Sequence, residues 1–210
     1  MQQKKLIVKT VLISICVILV LALSLFGILS YCAPATMMDL SSSLGLDSMS
    51  GDYAYEEYGR SGKVEYLARA FEIAAEEKRD AKASELFDML YAHEDFAKHC
   101  AAVDEQFKDD ENGGAMYGYR AYICGQAAQV KYRLASEDGE KAEVAAFALL
   151  ETEESFPAGN PLLALSMAAV EAKDAAFCAS LLETFRAGDF PEDNGAYINI
   201  VKLLEKAAQE

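Results

Sequence analysis

The chain is short of basic residues, of histidine and of tryptophan. Its 210 residues include 19 lysines and arginines against 34 aspartates and glutamates, 2 histidines and no tryptophan, and its formal net charge is -15. Nucleic-acid binding rewards a basic surface, and so does electrostatic docking on anionic lipid headgroups. The composition therefore argues against both functions. The acidic excess is typical of a solvated surface that keeps a domain soluble, and the functional alternative is an acidic patch for a basic partner or for cations.

The chain has five cysteines, and their spacing is not that of a disulfide framework. Cys16 and Cys32 lie in or beside a long apolar run, whereas Cys100, Cys124 and Cys178 are far apart and form no C-x-x-C pair. An odd number of widely spaced cysteines predicts no disulfide pattern. The last three have apolar neighbours, so we predict that they are small buried side chains. An oxidising compartment would still allow one disulfide among them.

The catalytic signatures G-x-S-x-G, S-x-x-K and H-E-x-x-H are absent from the sequence. Residues 59–63, GRSGK, lack the spacing of a phosphate-binding loop, and Val64 stands where that loop has a magnesium-binding hydroxyl. We predict a turn there. We therefore expect neither an enzyme nor a cofactor. The alternative is a membrane-anchored hydrolase or metal-dependent enzyme whose catalytic residues are dispersed along the chain.

Two stretches contain side chains that can bind metals. His93, Asp95, His99 and Cys100 lie within eight residues. A separation of six residues turns His99 by about 240° around a helix from His93, so the two histidines face different directions. Residues 108–114, KDDENGG, lack the D-x-D-x-D-G order of an EF-hand loop. We predict surface histidines at a helix junction, an acidic loop and no metal site.

Charge is entirely missing from residues 10–31, TVLISICVILVLALSLFGILSY. An apolar helix of about 20 residues crosses a hydrocarbon core of about 30 Å, so we predict a transmembrane helix here. The preceding segment, residues 1–9, contains three lysines, whereas the first basic residue after the run is Arg60. The positive-inside rule then predicts a single-pass protein of the cell membrane, with a short basic cytoplasmic segment and residues 32–210 outside the cytoplasm.

Other interpretations of this segment stay open. Residues 33–35, Ala-Pro-Ala, would serve as the A-x-A-like site of a cleaved signal peptide, although the apolar run exceeds the 7–15 residues usual for such signals. Cys32 would be the acceptor of a lipoprotein signal. Such signals have small residues directly before the cysteine, whereas here Tyr31 precedes it. A buried helix of a soluble protein is a third alternative, and the complete lack of charge argues against it.

Beyond the apolar run, hydrophobic residues recur every three and four positions, which is the spacing of one helical face. We predict a juxtamembrane linker over residues 32–47 and an all-α domain over 48–210, with an acidic loop near 108–114. The predicted helices cover about 48–59, 64–75, 83–91, 95–107, 116–134, 144–150, a segment that begins at Asn160-Pro161, 177–185 and 197–204. Short loops between consecutive amphipathic helices predict antiparallel hairpins.

The two halves of the domain contain similar segments. A shift of 94 residues aligns Ala70–Ala81, AFEIAAEEKRDA, with Ala164–Ala175, ALSMAAVEAKDA. A shift of 60 residues places Phe87 on Phe147, and Met89 and Leu90 then fall on Leu149 and Leu150. The step from Phe156 to Phe190 is 34 residues. A period of 34 is that of the tetratricopeptide repeat, a helix-turn-helix unit.

Residues 62–190 resemble degenerate tetratricopeptide repeats. The residues that carry the resemblance are Lys173-Asp174 at a turn, Ala179 and Leu182 on the second helix and Pro191 at its end. A similar pattern occurs earlier in the chain, at Lys78-Arg79-Asp80, Ala83 and Phe87. The chain departs from the family in lacking tryptophan and the Leu-Gly pair of the first helix, and the 60-residue step includes a long insertion. The resemblance implies antiparallel hairpins stacked as an α-solenoid, with a concave groove that binds a protein or peptide partner.

Tyrosines are the main candidates for partner binding. Tyr55 and Tyr58 belong to an early cluster, and Tyr119 and Tyr132 lie on the predicted long helix. Aromatic side chains with a polar end suit recognition grooves, and packing between helices is the alternative. We expect an exported scaffold or adaptor that binds a protein partner, in a layout similar to bacterial membrane proteins that assist secretion or envelope assembly. A structural spacer without a specific ligand is the remaining alternative.

Overall fold

The computed structural model describes residues 2–107, 118–152, 160–188, 190 and 194–209, and within these ranges it contains helices and no strand. The all-α prediction is therefore confirmed. The helices are α1 (Gln2–Cys32), α2 (Pro34–Ser43), α3 (Asp47–Ser61), α4 (Val64–Glu76), α5 (Asp80–Tyr91), α6 (Phe96–Phe107), α7 (Tyr119–Leu134), α8 (Asp138–Leu150), α9 (Pro161–Glu171), α10 (Ala175–Ala187) and α11 (Gly195–Ala207).

The first helix is long and apolar enough to span a membrane over Ile13–Cys32. No residue of this apolar window is fully buried by the rest of the described chain, and residues 13–28 are exposed. A core helix of a soluble domain would be covered by its neighbours, because apolar surface is excluded from water. The exposure therefore separates α1 from the helices that build the domain.

Most of residues 32–47, predicted as a juxtamembrane linker, is helical. Pro34 lies in the first turn of α2, where the backbone amide has no partner within the helix, so the lack of an amide hydrogen costs no hydrogen bond. Met37 is buried, and the Ser50 hydroxyl of α3 donates to the Met38 carbonyl at 3.1 Å. Packing on α3 stabilises this short helix more than its serine-rich sequence suggests.

The hairpins α4–α5 and α9–α10 are equivalent at a shift of 95 residues. The second helix begins at Asp80 in one and at Ala175 in the other, and Lys78 and Lys173 both adopt a φ of 56° in the turn. Buried positions repeat with the same shift, from Ala70, Phe71, Ile73, Ala74, Ala83, Leu86, Phe87 and Leu90 to Leu165, Ser166, Ala168, Ala169, Cys178, Leu181, Leu182 and Phe185.

The two repeat shifts expected from the sequence are therefore wrong by one or two residues. The 94-residue shift rested on four matched alanines besides Glu77 and Asp80, and alanine is too frequent in these helices to fix a register. The 60-residue shift would place the buried Leu90 on Leu150, which is 78% exposed. Helix α8 instead begins 58 residues after α5, which places Leu90 on the buried Ala148. The third expected step, of 34 residues, involves Phe156, which lies outside the described residues.

Two apolar clusters form the core, and α7 contributes to both. The first cluster lies among α3 to α7 and includes Phe71, and the second lies among α7 to α11 and includes Phe185. Ala127 belongs to the first cluster and its neighbour Ala128 to the second, while Phe147 of α8 packs against both. Helix α7, together with Phe147 of α8, thus joins the two halves of the domain.

Gly51 lets α3 approach α4 closely. A Cβ atom at this position would lie 2.9 Å from Cγ2 of Ile73 and 3.0 Å from a guanidinium nitrogen of Arg79. Ile73 is buried and branched at Cβ, so it has little freedom to move away. We expect Gly51→Ala to lower the free energy of unfolding by about 1–3 kcal/mol, as overpacking does in other cores, in urea titrations of the full-length chain in detergent.

Gly59, on the same helix, provides the matched control for this substitution. A Cβ atom there would meet nothing within 4 Å. Because alanine favours a helix over glycine by about 1 kcal/mol, Gly59→Ala should leave the stability unchanged or raise it. Equal responses at the two positions would show that helix propensity decides the outcome and that the close approach of α3 and α4 does not.

Candidate functional site

A groove crosses α4, α7 and α9, the first helices of three successive helix pairs. It encloses about 490 Å³. We call it the α4–α7–α9 groove. Its lining residues are Ala75 and Glu76 from the end of α4 with Lys78 from the following turn, Gln126, Gln129, Tyr132 and Arg133 from α7, and Ala168 and Glu171 from α9 with Ala172 just after it.

One polar face of α7 lies along the groove and continues beyond it. The residues on this face follow each other at intervals of three and four, which keeps them on one side of a helix. They are Tyr119, Tyr122, Gln126, Gln129 and Arg133. The intervening buried positions Ile123, Cys124, Ala127 and Val130 belong to the first apolar cluster. The same helix therefore anchors the core and supplies a polar strip to the groove.

Tyr119, at the start of this strip, contacts α4. Its hydroxyl donates to a Glu72 carboxylate oxygen at 2.9 Å, and its ring lies 6.2 Å from that of Tyr122. Burial raises the pKa of Glu72, and the hydrogen bond from Tyr119 opposes that shift only in part. Burial and the nearby Glu72 carboxylate also raise the pKa of Tyr119. Tyr119 is therefore a neutral hydrogen-bond donor at neutral pH.

Two amide side chains occupy the centre of the strip. The Gln126 amide nitrogen donates to the Tyr122 hydroxyl at 2.6 Å, and the Gln129 amide nitrogen donates to the Ala164 carbonyl of α9 at 3.1 Å. The Gln126 amide oxygen is buried and has no hydrogen-bond partner among the described residues. Each glutamine amide nitrogen carries a second hydrogen besides the one that these bonds use, so this part of the strip can donate to the backbone carbonyls of a polypeptide.

The charges around the groove are partly neutralised within the domain. The Arg133 guanidinium binds both carboxylate oxygens of Asp80, with contacts of 2.7 and 3.0 Å. Glu76, Lys78 and Glu171 are exposed at the ends of α4 and α9. The accessible lining thus offers two carboxylates and one ammonium group, a slight acidic excess.

The structure separates the four tyrosines expected to bind a partner. Tyr55 and Tyr58 are half-buried on α3, with ring centroids 6.4 Å apart, and pack against the first apolar cluster. Tyr119 and Tyr132 both lie on α7, but only Tyr119 belongs to its polar strip. Neither α3 tyrosine lines the α4–α7–α9 groove.

Tyr132 is only 6% exposed, although it borders the groove. Its hydroxyl donates to Asp174 at 3.1 Å, and its ring stacks on that of Phe177 at 5.2 Å between centroids. Lys141 also donates to Asp174. These contacts hold α7, α8 and α10 together. Tyr132 therefore packs between helices, which was the alternative to partner binding.

The two histidines lie in separate surroundings. The His93 ring accepts a hydrogen bond from the Asp95 amide and lies 6.0 Å from Tyr58, whereas the His99 ring lies 5.5 Å from Tyr119. Over the residues that the structure describes, no group of three His, Cys, Asp or Glu side chains is placed to hold a metal ion. The acidic loop at residues 108–114 lies outside those residues.

The three domain cysteines are buried, which confirms their predicted role as small core side chains. Cys100 and Cys124 belong to the first apolar cluster and Cys178 to the second. Burial raises the pKa of all three thiols, that of Cys100 to about 11. At neutral pH they are protonated and therefore poor nucleophiles.

Sequence reasoning missed Gln126 and Gln129, which occupy the centre of the groove. A signal was present, because both continue the three-and-four spacing that begins at Tyr119 and Tyr122. That spacing is masked in α7, where apolar residues recur at the same intervals on the other faces. Only the positions of α4 and α9 show which of these faces borders an open space.

Comparison of the chain with protein families, with curated proteins and with solved structures found no match. What the structure itself defines is an all-helical protein with one N-terminal helix that is long and apolar enough to span a membrane.

Proposed function

We propose that the chain is a membrane-anchored scaffold or adaptor that binds a segment of a partner protein in the α4–α7–α9 groove. The observation that carries this proposal is the origin of the lining, which comes from the first helix of each of three successive helix pairs. Equivalent helices lie side by side on the concave surface of an α-solenoid, where such proteins bind their partners.

The packing order of the helices supports a tetratricopeptide-like arrangement. The second helix of each pair contacts the first helix of the next pair, because α5 packs on α7, α8 on α9 and α10 on α11. The first helices also pack in series, α4 on α7, α7 on α9 and α9 on α11. Helix α6 is an additional helix between α5 and α7. The shared turn geometry at Lys78 and Lys173 adds to this support.

The proposed location follows from α1 and from the charges beside it. A lipid bilayer would cover the apolar surface that the domain leaves exposed. Lysines precede the apolar window and none follows it before Lys63, so we place the N-terminus in the cytoplasm and the repeats outside it. A scaffold in this position suits secretion or cell-envelope assembly.

The chemistry of the groove favours a polypeptide ligand. Gln126 and Gln129 supply amide groups inside the groove, and Tyr122 and Tyr119 continue the same face of α7 beyond it as aromatic surface. Interfaces between proteins are enriched in tyrosine, and an extended segment presents backbone donors and acceptors that side-chain amides can match. The long-range acidic charge of the domain would favour partners that are not themselves strongly acidic.

Site-specific photo-crosslinking in cells tests the proposal. A photoreactive residue is placed at Gln129 or Glu171, which line the groove, and at Glu183, an exposed residue of α10 that does not line it. We expect one recurrent protein from both groove positions and not from Glu183. Gln126→Ala should weaken the crosslink made from Glu171, because it removes an amide from the groove without touching the crosslinking site. Equal background from all three positions would overturn the proposal and favour a spacer.

A further inference from the structure

We propose that the turn between α2 and α3 is a second membrane contact, in which the lipid surface covers Leu40, Leu44, Leu46 and Met49. These side chains are 44%, 64%, 46% and 36% exposed, respectively. They lie within ten residues of each other in the sequence, on the hairpin that directly follows α1. The inference rests on the membrane anchor of the proposed function and goes beyond it, since it assigns a lipid-binding surface to the domain itself.

Side chains of α3 contact the C-terminal end of α1. The Tyr53 and Ser30 hydroxyls are 2.8 Å apart, and the Arg60 guanidinium donates to the Tyr31 carbonyl and lies 5.3 Å from the Tyr31 ring centroid. Tyr53 and Arg60 are seven residues apart, about 10 Å along a helix, yet they meet adjacent residues of α1. A helix that ran alongside α1 would spread its contacts along it, whereas these contacts fall on the last residues of α1, so we infer that α3 crosses the end of α1.

The chain also bends where α1 meets α2. Only Ala33 separates the two helices, and its φ of -143° and ψ of 63° lie outside the helical region. With α1 along the membrane normal, the crossing of α3 directs the α2–α3 hairpin along the membrane surface. Leu44 and Leu46, which flank the turn at Gly45, then lie beside the lipid within a few helical turns of the anchor.

The contact is apolar rather than electrostatic. Residues 33–59 contain no lysine or arginine, and Asp39 and Asp47 are exposed beside the leucines. Anionic headgroups attract basic segments, so they would not favour this surface. Apolar side chains at an interface are buried about 5–10 Å into the boundary between headgroups and acyl chains. We therefore expect binding to zwitterionic lipid, with no gain from anionic lipid.

The absence of tryptophan from the chain allows a direct test. Full-length Leu44→Trp and Leu46→Trp variants are reconstituted into phosphatidylcholine vesicles with plain or brominated acyl chains. We expect a blue-shifted emission that brominated lipid quenches, unchanged when phosphatidylglycerol is added. Leu203→Trp, at a 40% exposed position of α11, is the control and should not be quenched.

A tryptophan within α1, in the variant Leu19→Trp, separates the two proposals. If Leu19→Trp is quenched but Leu44→Trp and Leu46→Trp are not, the anchor stands and the second membrane contact is wrong. A blue shift without quenching at the turn would also contradict it, because a protein surface rather than lipid would then cover the leucines. If Leu19→Trp itself escapes quenching, the membrane anchor fails.

Discussion

Replacing Arg120 by methionine is expected to lower the free energy of unfolding by about 3 kcal/mol, because it leaves a buried carboxylate without its cation. Arg120 donates two hydrogen bonds to Glu151, at 2.9 and 3.1 Å, and the Glu151 side chain is only 8% exposed. The Tyr91 hydroxyl donates to the same carboxylate at 2.6 Å and cannot neutralise its charge. Urea unfolding of the full-length chain in detergent measures the loss.

Two further variants show whether burial is the cause. Arg186 forms an ion pair with Glu205, but the Glu205 carboxylate is 43% exposed, whereas Glu151 is 8% exposed beside a 40% exposed Arg120. Arg186→Met should therefore cost less than about 1 kcal/mol. Combining Arg120→Met with Glu151→Leu should recover much of the lost stability, because it removes the buried carboxylate that the single variant leaves without a cation. A double variant as unstable as the single one would contradict this account.

Acid provides an independent check on the same pair. Burial raises the pKa of Glu151, but the hydrogen bonds from Arg120 and Tyr91 outweigh burial and hold the pKa below its ordinary 4.5. A depressed carboxyl pKa contributes stability above the unfolded-state pKa, and that contribution is lost as the pH falls through the folded-state pKa. The stability difference between the natural chain and Arg120→Met should therefore narrow as the pH drops below 4.5.

This pair also shows what sequence alone leaves undetermined. In the sequence Arg120 and Glu151 are charged residues 31 positions apart, and charge usually indicates a solvated surface. Their contact depends on how α7 meets the end of α8, a tertiary arrangement. The start of α9 was predictable for the opposite reason. The Asn160 side chain accepts hydrogen bonds from the Leu162 and Leu163 amides, and this cap is formed by neighbours in sequence.

The repeat and the groove are intermediate between a purely local feature such as the Asn160 cap and a purely tertiary one such as the Arg120–Glu151 pair. Helical periodicity predicted the hairpins, because each amphipathic helix carries its own pattern. The register between hairpins depends on which alanines are buried, and the sequence does not distinguish a buried alanine from an exposed one. The groove needs α4, α7 and α9 together, so Gln129 becomes recognisable as a lining residue only when its contact with Ala164 of α9 is seen.

A loss of about 3–5 kcal/mol in the free energy of unfolding is expected for Phe71→Ala. Phe71 is completely buried in the first apolar cluster, with its ring 5.6 Å from that of Phe87. In a globular domain with one core this loss would spread through the whole structure. In stacked repeats each unit contacts only its neighbours, so the loss should stay near its origin.

Amide hydrogen exchange distinguishes these two outcomes. Phe71→Ala should accelerate exchange in α4 and α5 far more than in α10 and α11. Phe185→Ala, which removes an equally buried ring from the second cluster, should do the reverse. Helix α7 should respond to both variants, because Ala127 packs in the first cluster and Ala128 in the second. Uniform acceleration by either variant would mean that the clusters unfold as one unit, and the solenoid proposal would then lose its energetic basis.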